Sequence, residues 1–274
     1  MGALALRGKL SNAAILVWLA AIPASSQWLG YPTAGVPKGA DGSPNLTAPP
    51  PRMADGKPDL SGIWTMMCPT AKGPVMCLPE TYVSREFADI GRSLDGGLPY
   101  QPWAADAVKA RRAENGKDDP FTHCLPGTPA RIHTVPLLRK IVQTHGLLLF
   151  LSEVNASYRQ IFTDGRSLPQ DPNPSWNGYS TGHWEGDTLV VETNGFRDGQ
   201  WLDRWGSPLT GEARMTEKFR RRNFGTLDIE LTVDDPKAYT KPWTVRLSQS
   251  IALDTELLDW ICLEEKDFPP LVGK

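Results

Sequence analysis

The sequence predicts a mainly β fold, either an antiparallel lipocalin-like barrel or a strongly curved sheet, with a few short helices. The first observation is alternation: about eight segments place apolar and polar residues at a period of two, as half-buried antiparallel strands do. The second is connection length, because short turn signals such as Glu185-Gly186 join most of these segments. Sequential strands with short turns favour an up-and-down barrel over a parallel α/β fold. A two-sheet sandwich is the alternative.

Residues 1–26 predict a secretory signal peptide. Basic Arg7 and Lys9 precede an apolar run at 13–22, and the small residues at 24–26 suit a cleavage site. An uncleaved membrane anchor is the alternative, although the run is too short for a spanning helix. Cleavage would place the mature chain in the periplasm or outside the cell.

The remaining chain divides into a linker and one domain. Residues 27–57 are rich in proline, glycine and alanine, and predict a linker or an extended segment. Residues 58–270 predict a single barrel-like domain. It carries an irregular arm at roughly 68–136, with one candidate helix at 103–114 and a proline-broken, irregular stretch at 124–136.

The predicted strands combine apolar alternation with turn residues at their ends. The clearest case is 226–233, where Leu227, Ile229 and Leu231 share one face. Residues 168–174 predict a loop, since proline cannot donate a ladder hydrogen bond. The predicted strands are 59–66, 137–144, 147–154, 158–163, 179–184, 187–193, 214–221, 226–233, 243–249 and 257–264.

The cysteine content fits an oxidising compartment, where even numbers of cysteines usually pair. The four cysteines are Cys68, Cys77, Cys124 and Cys262. Of the three connectivities, we favour Cys68 with Cys77 and Cys124 with Cys262. The second bridge would tie the start of the folded core to its predicted last strand and close a long loop.

Charge and motifs exclude several classes of function. The formal net charge of -2 and the pI near 6.1 give no basic footprint for a nucleic-acid partner, and the run at 220–222 reads as a solvated strand end. The four histidines form no HxxxH or HExxH motif, although His123, His133 and His183 could still converge on a metal. Neither GxSxG nor a phosphate-binding loop motif is present. The sequence therefore predicts neither a metal nor a cofactor.

Five long runs in the second half of the chain form a specific pattern. They are IVQTHGLLLFL at 141–151, YRQIFTDGRSLPQDPNPSW at 158–176, GYSTGHWEGDTLVVETNGF at 178–196, TEKFRRRNFG at 216–225 and DDPKAYTKPWTV at 234–245. This pattern resembles a large group of secreted proteins from soil and environmental bacteria, many without an assigned activity. Those proteins usually open with a DGKPDLSGIW-like segment, as residues 55–64 do here. The resemblance covers 55–267 and implies a secreted β protein. Relatives often carry histidines where this chain has 206–210 and 213–215, and those histidines are not present here.

His183 is the candidate general base, together with Tyr158. The ordinary pKa of histidine suits proton transfer, and His183 shares a strand face with Tyr179 and Thr181 that could point into a barrel. If Trp184 fills the core instead, His183 points outward.

Glu217 is the third catalytic candidate. It alternates with Met215 and Phe219, and a carboxylate in apolar surroundings would have a raised pKa suited to acid–base chemistry. A salt bridge with a nearby arginine is the alternative.

The ligand-binding candidates are one arginine and several aromatic residues. Arg159 could hold a carboxylate by two parallel hydrogen bonds, or pair with a loop carboxylate of the chain. Tryptophan and tyrosine rings offer stacking surfaces for aromatic ligands, and they also pack ordinary cores. The candidates are Arg159, Tyr179, Trp176, Trp201 and Trp205.

The sequence leaves two classes of function open. The first is an extracytoplasmic barrel that binds a small apolar or aromatic compound, with cofactor-free acid–base catalysis by a lyase, isomerase or hydrolase as an extension. The second is a non-catalytic structural or interaction protein of the cell envelope. The expected partner is a small molecule, with no nucleic acid and no membrane contact after signal cleavage.

Overall fold

Nine strands close into a β-barrel in which neighbouring strands are antiparallel with one exception. The computed structural model describes residues 31–68, 75–76 and 85–262. Around the barrel the order is β1, β3, β4, β5, β6, β7, β10, β11 and β12, and β12 pairs with β1 to close it. This confirms the predicted fold class.

The barrel strands lie close to the segments that alternation predicted. The strands are β1 (Gly62–Cys68), β2 (Val75–Met76), β3 (Arg139–Thr144), β4 (Leu147–Ser152), β5 (Ser157–Phe162), β6 (Tyr179–Glu185), β7 (Thr188–Asn194), β8 (Gln200–Trp201), β9 (Pro208–Leu209), β10 (Arg214–Asn223), β11 (Thr226–Asp234) and β12 (Trp243–Ile251). The helices are α1 (Arg85–Ala88), α2 (Pro102–Ala113) and α3 (Pro129–Thr134). Strand β2 pairs antiparallel with the end of β1, and β8 pairs with β9 in a separate ribbon.

The exception to antiparallel pairing lies between β5 and β6, which run parallel through Ile161 opposite Ser180. The connection at 163–178 contains the predicted proline-rich loop and has no named strand. Because the last residues of β5 pair with the first residues of β6, this loop begins and ends at the same level of the barrel wall.

Apolar side chains fill much of the barrel interior. The inward face of β11 is fully buried, since Leu227, Ile229, Leu231 and Val233 are each exposed by 1% or less. The interior cluster comprises Leu60, Trp64, Met66, Ile141, Leu148, Phe150, Ile161, Leu189, Val191, Phe219, Phe224, Leu227, Ile229, Leu247 and Ile251. This part of the barrel is a packed core and not an open ligand cavity.

The segment predicted as a linker packs against the barrel in its described part, residues 31–57. Val36 and Ala48 contact the interior cluster, and the amide N–H of Phe224 donates to the carbonyl of Ala48 at 2.8 Å. A Cβ at Gly225 would lie 2.7 Å from Leu46 Cβ, so glycine permits this close approach. The segment forms successive turns, with bridges between Lys38 and Pro44 and between Arg52 and Pro58. Composition alone could not distinguish such a segment from a linker.

The arm packs against inward-facing residues of the barrel strands, since Ile90, Leu98 and Ala130 share a buried cluster with residues of β10, β11 and β12. Helix α2 confirms the predicted helix at 103–114 within a residue. The stretch at 124–136 was predicted to be irregular, but it contains α3. Pro129 occupies the first turn, where proline is tolerated, and the Thr128 side chain accepts from the Arg131 N–H at 3.2 Å as an N-cap.

The chain end differs from the prediction. Residues 257–262 form no named strand, and Trp260 makes a single bridge with Val154. Cys262 forms the predicted disulfide with Cys124, across 138 residues of sequence. Asn155 connects to both half-cystines, since its side chain donates to the Cys124 carbonyl and accepts from the Cys262 N–H. The other predicted pairing involves Cys77, which lies outside the described residues.

Removing this disulfide is expected to lower the free energy of unfolding by about 3–5 kcal/mol, because it closes a long loop in the unfolded chain. The test compares urea unfolding of the wild type with that of the double variant Cys124→Ala/Cys262→Ala. Coincident unfolding midpoints would contradict the expectation, and reduced wild type provides the matching control.

Candidate functional site

A layer of charged and polar side chains crosses the barrel interior beside the apolar cluster. Glu217 projects inward from β10 between Met215 and Phe219 and is 0% exposed. Its neighbours Val191 on β7 and Leu231 on β11 are equally buried. A carboxylate in such surroundings needs charged or hydrogen-bonding partners, because an isolated buried charge is strongly unfavourable.

Arg159 is the principal partner of Glu217. Its guanidinium contacts both carboxylate oxygens, with Nη1 donating to Oε1 at 3.0 Å and Nη2 bonding Oε2. The same guanidinium donates to Ser180 Oγ at 3.1 Å and Thr193 Oγ1 at 2.9 Å. Because β5, β6, β7 and β10 are consecutive strands of the sheet and each supplies one member, strand pairing brings the group together. Of the alternatives for Glu217, the structure shows the salt bridge.

His133 is the second partner of Glu217, and it does not lie on a barrel strand. It lies on α3, and its Nε2 is 2.7 Å from Glu217 Oε1. The imidazole packs edge-on against Phe150 and Phe219, with ring centroids 6.0 and 5.6 Å away. It is 1% exposed.

Protonation follows from these contacts. Burial alone would raise the pKa of Glu217, but the Arg159 charge and the hydrogen bonds from His133 and Arg159 outweigh burial and hold the pKa at about 2. Burial lowers the pKa of His133 below its usual 6.5, against the opposing effect of Glu217. The pair is therefore an ionised carboxylate and a neutral imidazole at neutral pH. An ionised carboxylate only accepts, so Nε2 carries the proton and Nδ1 keeps a lone pair.

His133 Nδ1 is buried and has no hydrogen-bond partner among the described residues. A carboxylate that fixes one imidazole nitrogen as a donor leaves the other as a base, as in catalytic carboxylate–histidine pairs. Buried polar atoms normally have partners. The unpaired Nδ1 is thus a group whose partner would come from a ligand or a water.

Helix α3 is held in place by a second buried ion pair. Arg131 contacts Asp119 at 2.8 Å and donates to the Asp203 carbonyl at 3.2 Å. Arg131 and His133 lie two residues apart on the same short helix. One therefore fixes the helix to the arm while the other enters the barrel layer.

Arg139 adds a further buried cation beside His133. Its Nε donates to Gln249 Oε1 at 3.0 Å and its Nη1 to the Ile132 carbonyl. Gln249 in turn donates to the His133 carbonyl at 3.2 Å. Burial lowers the pKa of Arg139 to about 9, so the guanidinium remains charged at neutral pH.

Two cavities open beside these groups at one end of the barrel. The inner recess measures about 20 Å³ and is lined by His133, Arg139 and Arg159 among others. The outer pocket measures about 540 Å³. Residues that line both are Ser157, Tyr158, Arg159 and Asn177. The recess and the outer pocket are therefore neighbours that meet at these four residues.

The outer pocket has aromatic walls. Trp176 and Tyr179, both predicted to bind ligand, line it together with Phe162. Phe162 and Tyr179 stack with centroids 5.4 Å apart. Tyr158 stands at the shared boundary and is 64% exposed. Arg166 lies 3.9 Å over the Phe162 ring and Arg197 lies 5.5 Å over the Trp176 ring, so these walls combine aromatic surface with positive charge.

The remaining predicted residues lie elsewhere. His183 faces outward, opposite Val190, with a side chain 58% exposed and 3.3 Å from Glu185. Glu217 on β10 lies opposite Val191 on β7, the residue that follows Val190. Successive strand residues face opposite sides of the wall. His183 and Glu217 are therefore not brought together. Trp184 packs against the core, as the alternative for this strand required.

Trp201, in β8, and Trp205 pack against helix α2 of the arm, away from both cavities. Arg111 and Arg112 of α2 stack on them, with guanidinium carbons 4.6 and 4.7 Å from the ring centroids. Neither tryptophan lines the recess or the outer pocket. These stacking contacts hold α2 against the segment that contains the two tryptophans.

His133 and Arg139 were not among the predicted site residues. The sequence signal for His133 is the Thr128-Pro129 helix start, which places a histidine on a short capped helix. In the described ranges, no group of three or more histidine, cysteine or acidic residues forms a metal site. None of the helices described here has the length and apolar character needed to cross a membrane.

Comparisons with known proteins give no relative: no protein-family model, no curated protein and no solved structure matches this chain.

Replacing Glu217 with glutamine is expected to lower the free energy of unfolding by about 3–5 kcal/mol, because Arg159 loses its buried counter-charge. It should also change the acid response. The lowered pKa of Glu217 stabilises the folded state above its usual pKa of 4.5, and this stability is lost as pH falls toward about 2. Urea unfolding at several pH values measures both effects.

The matched control is Glu185→Gln, at an exposed outer-face carboxylate. It should unfold within about 0.5 kcal/mol of the wild type. Parallel slopes for the wild type and Glu217→Gln between pH 4.5 and 2 would contradict the assigned ionisation.

Proposed function

We propose that this protein is an extracytoplasmic enzyme that binds a small compound with an aromatic or apolar body in the outer pocket and transfers a proton with His133. One observation carries the proposal: His133 Nε2 is fixed on buried Glu217 at 2.7 Å while Nδ1 has no partner in the described chain. A ring that only packed the core would gain nothing from an unpaired buried nitrogen.

The reaction class follows from the groups available. Nδ1 would remove a proton from carbon next to a carbonyl, and the C–H electron pair would move into the carbonyl to form an enolate. Arg139 lines the same recess and has only neutral partners among the described residues, so its positive charge would stabilise the negative charge of the enolate. Returning the proton at a second carbon gives isomerisation, and expelling a β-substituent gives elimination. Both outcomes balance without a cofactor.

Glu217 acts through His133 in this scheme. Its carboxylate selects the imidazole tautomer and stabilises the imidazolium that forms after proton abstraction. Arg159 keeps Glu217 ionised, since the pKa of Glu217 is held at about 2. Glu217, one of the predicted catalytic residues, is thus a positioning residue, and His133 replaces His183 as the proposed base.

The proposed extracytoplasmic location has two supports. The sequence predicts a signal peptide at 1–26, and the structure contains the Cys124–Cys262 disulfide. The disulfide also lies beside the pocket, because Asn155, which bonds both half-cystines, lines it. The resemblance to secreted bacterial proteins agrees with this location.

The catalytic proposal is tested by deuterium exchange. Phenylacetone and phenylpyruvate each have an aromatic body and an acidic C–H next to a carbonyl. In D₂O with wild-type protein, NMR should show deuterium incorporation above the protein-free rate. His133→Gln keeps a donor toward Glu217 but lacks the base, and should lower the enzymatic rate by about 10²–10⁴-fold.

His183→Asn is the matched control, because that histidine lies on the outer face. It should exchange deuterium at the wild-type rate. Exchange that survives His133→Gln in a folded variant, or that is lost with His183→Asn, would contradict His133 as the base.

The pH dependence gives a further prediction. The pKa of His133 is lowered from 6.5, and its neutral form is the base. The exchange rate should therefore rise with pH and level off, with an apparent pKa below 6.5 on the acid limb. A rate that keeps rising well above pH 6.5 would point to a different base.

A further inference from the structure

Among the residues that the structure describes, the recess contains a buried positive charge with no counter-charge. Arg139 is 1% exposed, and its Nη2 has no hydrogen-bond partner in the described part of the chain. Its other contacts in the described chain are two neutral oxygens, on Gln249 and Ile132. Buried charges in proteins are normally paired or bound to ions.

The neighbouring groups do not supply the missing charge. Glu217 is engaged by Arg159 through both oxygens and by His133, and it forms no ion pair with Arg139. No aspartate or glutamate in the described residues lines the recess. With neutral His133, the layer of Arg139, Arg159 and Glu217 has a net charge of +1. This charge and the free donor Nη2 both favour an anion.

The size and position of the recess limit what can enter. At about 20 Å³ it holds roughly one water-sized group. That volume suits one oxygen of a head group whose remainder lies in the outer pocket, at the boundary formed by Ser157, Tyr158 and Asn177. The aromatic walls of that pocket suit an apolar body attached to the head group.

We infer that Arg139 is a recognition residue for the carboxylate of an aromatic or arylalkyl carboxylic acid. One carboxylate oxygen would accept from Nη2 in the recess, and the ring would lie in the adjoining outer pocket. The inference rests on the proposed function for the location of the pocket, but not on proton transfer.

The test uses acid and amide pairs of the same shape that cannot react by the proposed chemistry. Calorimetric titration compares benzoate with benzamide and 3-phenylpropanoate with 3-phenylpropanamide. The wild type should bind each carboxylate about 10–100-fold more tightly than its amide, as expected for a charge-assisted bond in a buried site. Equal Kd values for acid and amide, as a single bound water in the recess would give, overturn the inference.

Variants assign the preference to Arg139. Arg139→Gln should bring the acid-to-amide ratio close to one, and Arg139→Lys should retain part of the preference. The control Arg246→Gln removes an exposed cation of the outer face and should leave the ratio unchanged. A folded Arg139→Gln variant that keeps the full preference overturns the inference.

Formate provides a test in the wild type that does not depend on any variant folding. As a bare carboxylate it should compete at the recess, weakening the apparent affinity for 3-phenylpropanoate but not for 3-phenylpropanamide. Failure of every carboxylate, formate included, to bind also overturns the inference. His133→Gln separates the two proposals, because it should abolish deuterium exchange while preserving the preference for carboxylates.

Discussion

The ion pair between Glu217 and Arg159 is the contact on which the site depends. Both groups are buried inside a barrel whose neighbouring layers are apolar, so either one alone would be strongly unfavourable. Together they set the remaining geometry. Arg159 uses its other N–H groups on Ser180 and Thr193, and Glu217 uses its remaining capacity on His133. The ionised carboxylate fixes which nitrogen of His133 carries the proton, while burial lowers the pKa of the imidazole and keeps it neutral.

The site is assembled from the barrel and the arm, which meet at α3. The barrel supplies Glu217, Arg159 and Arg139, while the arm supplies His133. Arg131, two residues from His133, is held by Asp119 in the arm. A short helix with few contacts of its own is thereby fixed on both sides, which matches the need to hold a catalytic group within a narrow range of positions. The buried polar groups of the arm thus contribute to the site as well as to the fold.

Most of the barrel could be predicted from the sequence, because alternation is a local property. The inward faces of β10 and β11 follow directly from it, and so did the selection of Glu217 and Arg159 as candidates. Their contact could not be predicted, since it depends on which strands become neighbours. The sequence pattern did not show which face of β6 points inward, so His183 remained a candidate. In the structure Trp184 packs against the core, and His183 therefore faces outward. His133 and Arg139 give weak local signals: one lies on a six-residue helix and the other begins a strand.

Barrel closure has a consequence for how the chain folds. The closing pair joins β1 to β12 through Trp64 and Ile251, so it links the two ends of the domain. Arg221 on β10 also donates to the carbonyl of Asp59, just before β1. Neither contact can form until nearly the whole domain is available, and long-range pairing of this kind slows folding. The first strand must therefore remain unpaired on its β12 side until the last one arrives, and its exposed edge is the part of the nascent domain most open to association with other chains.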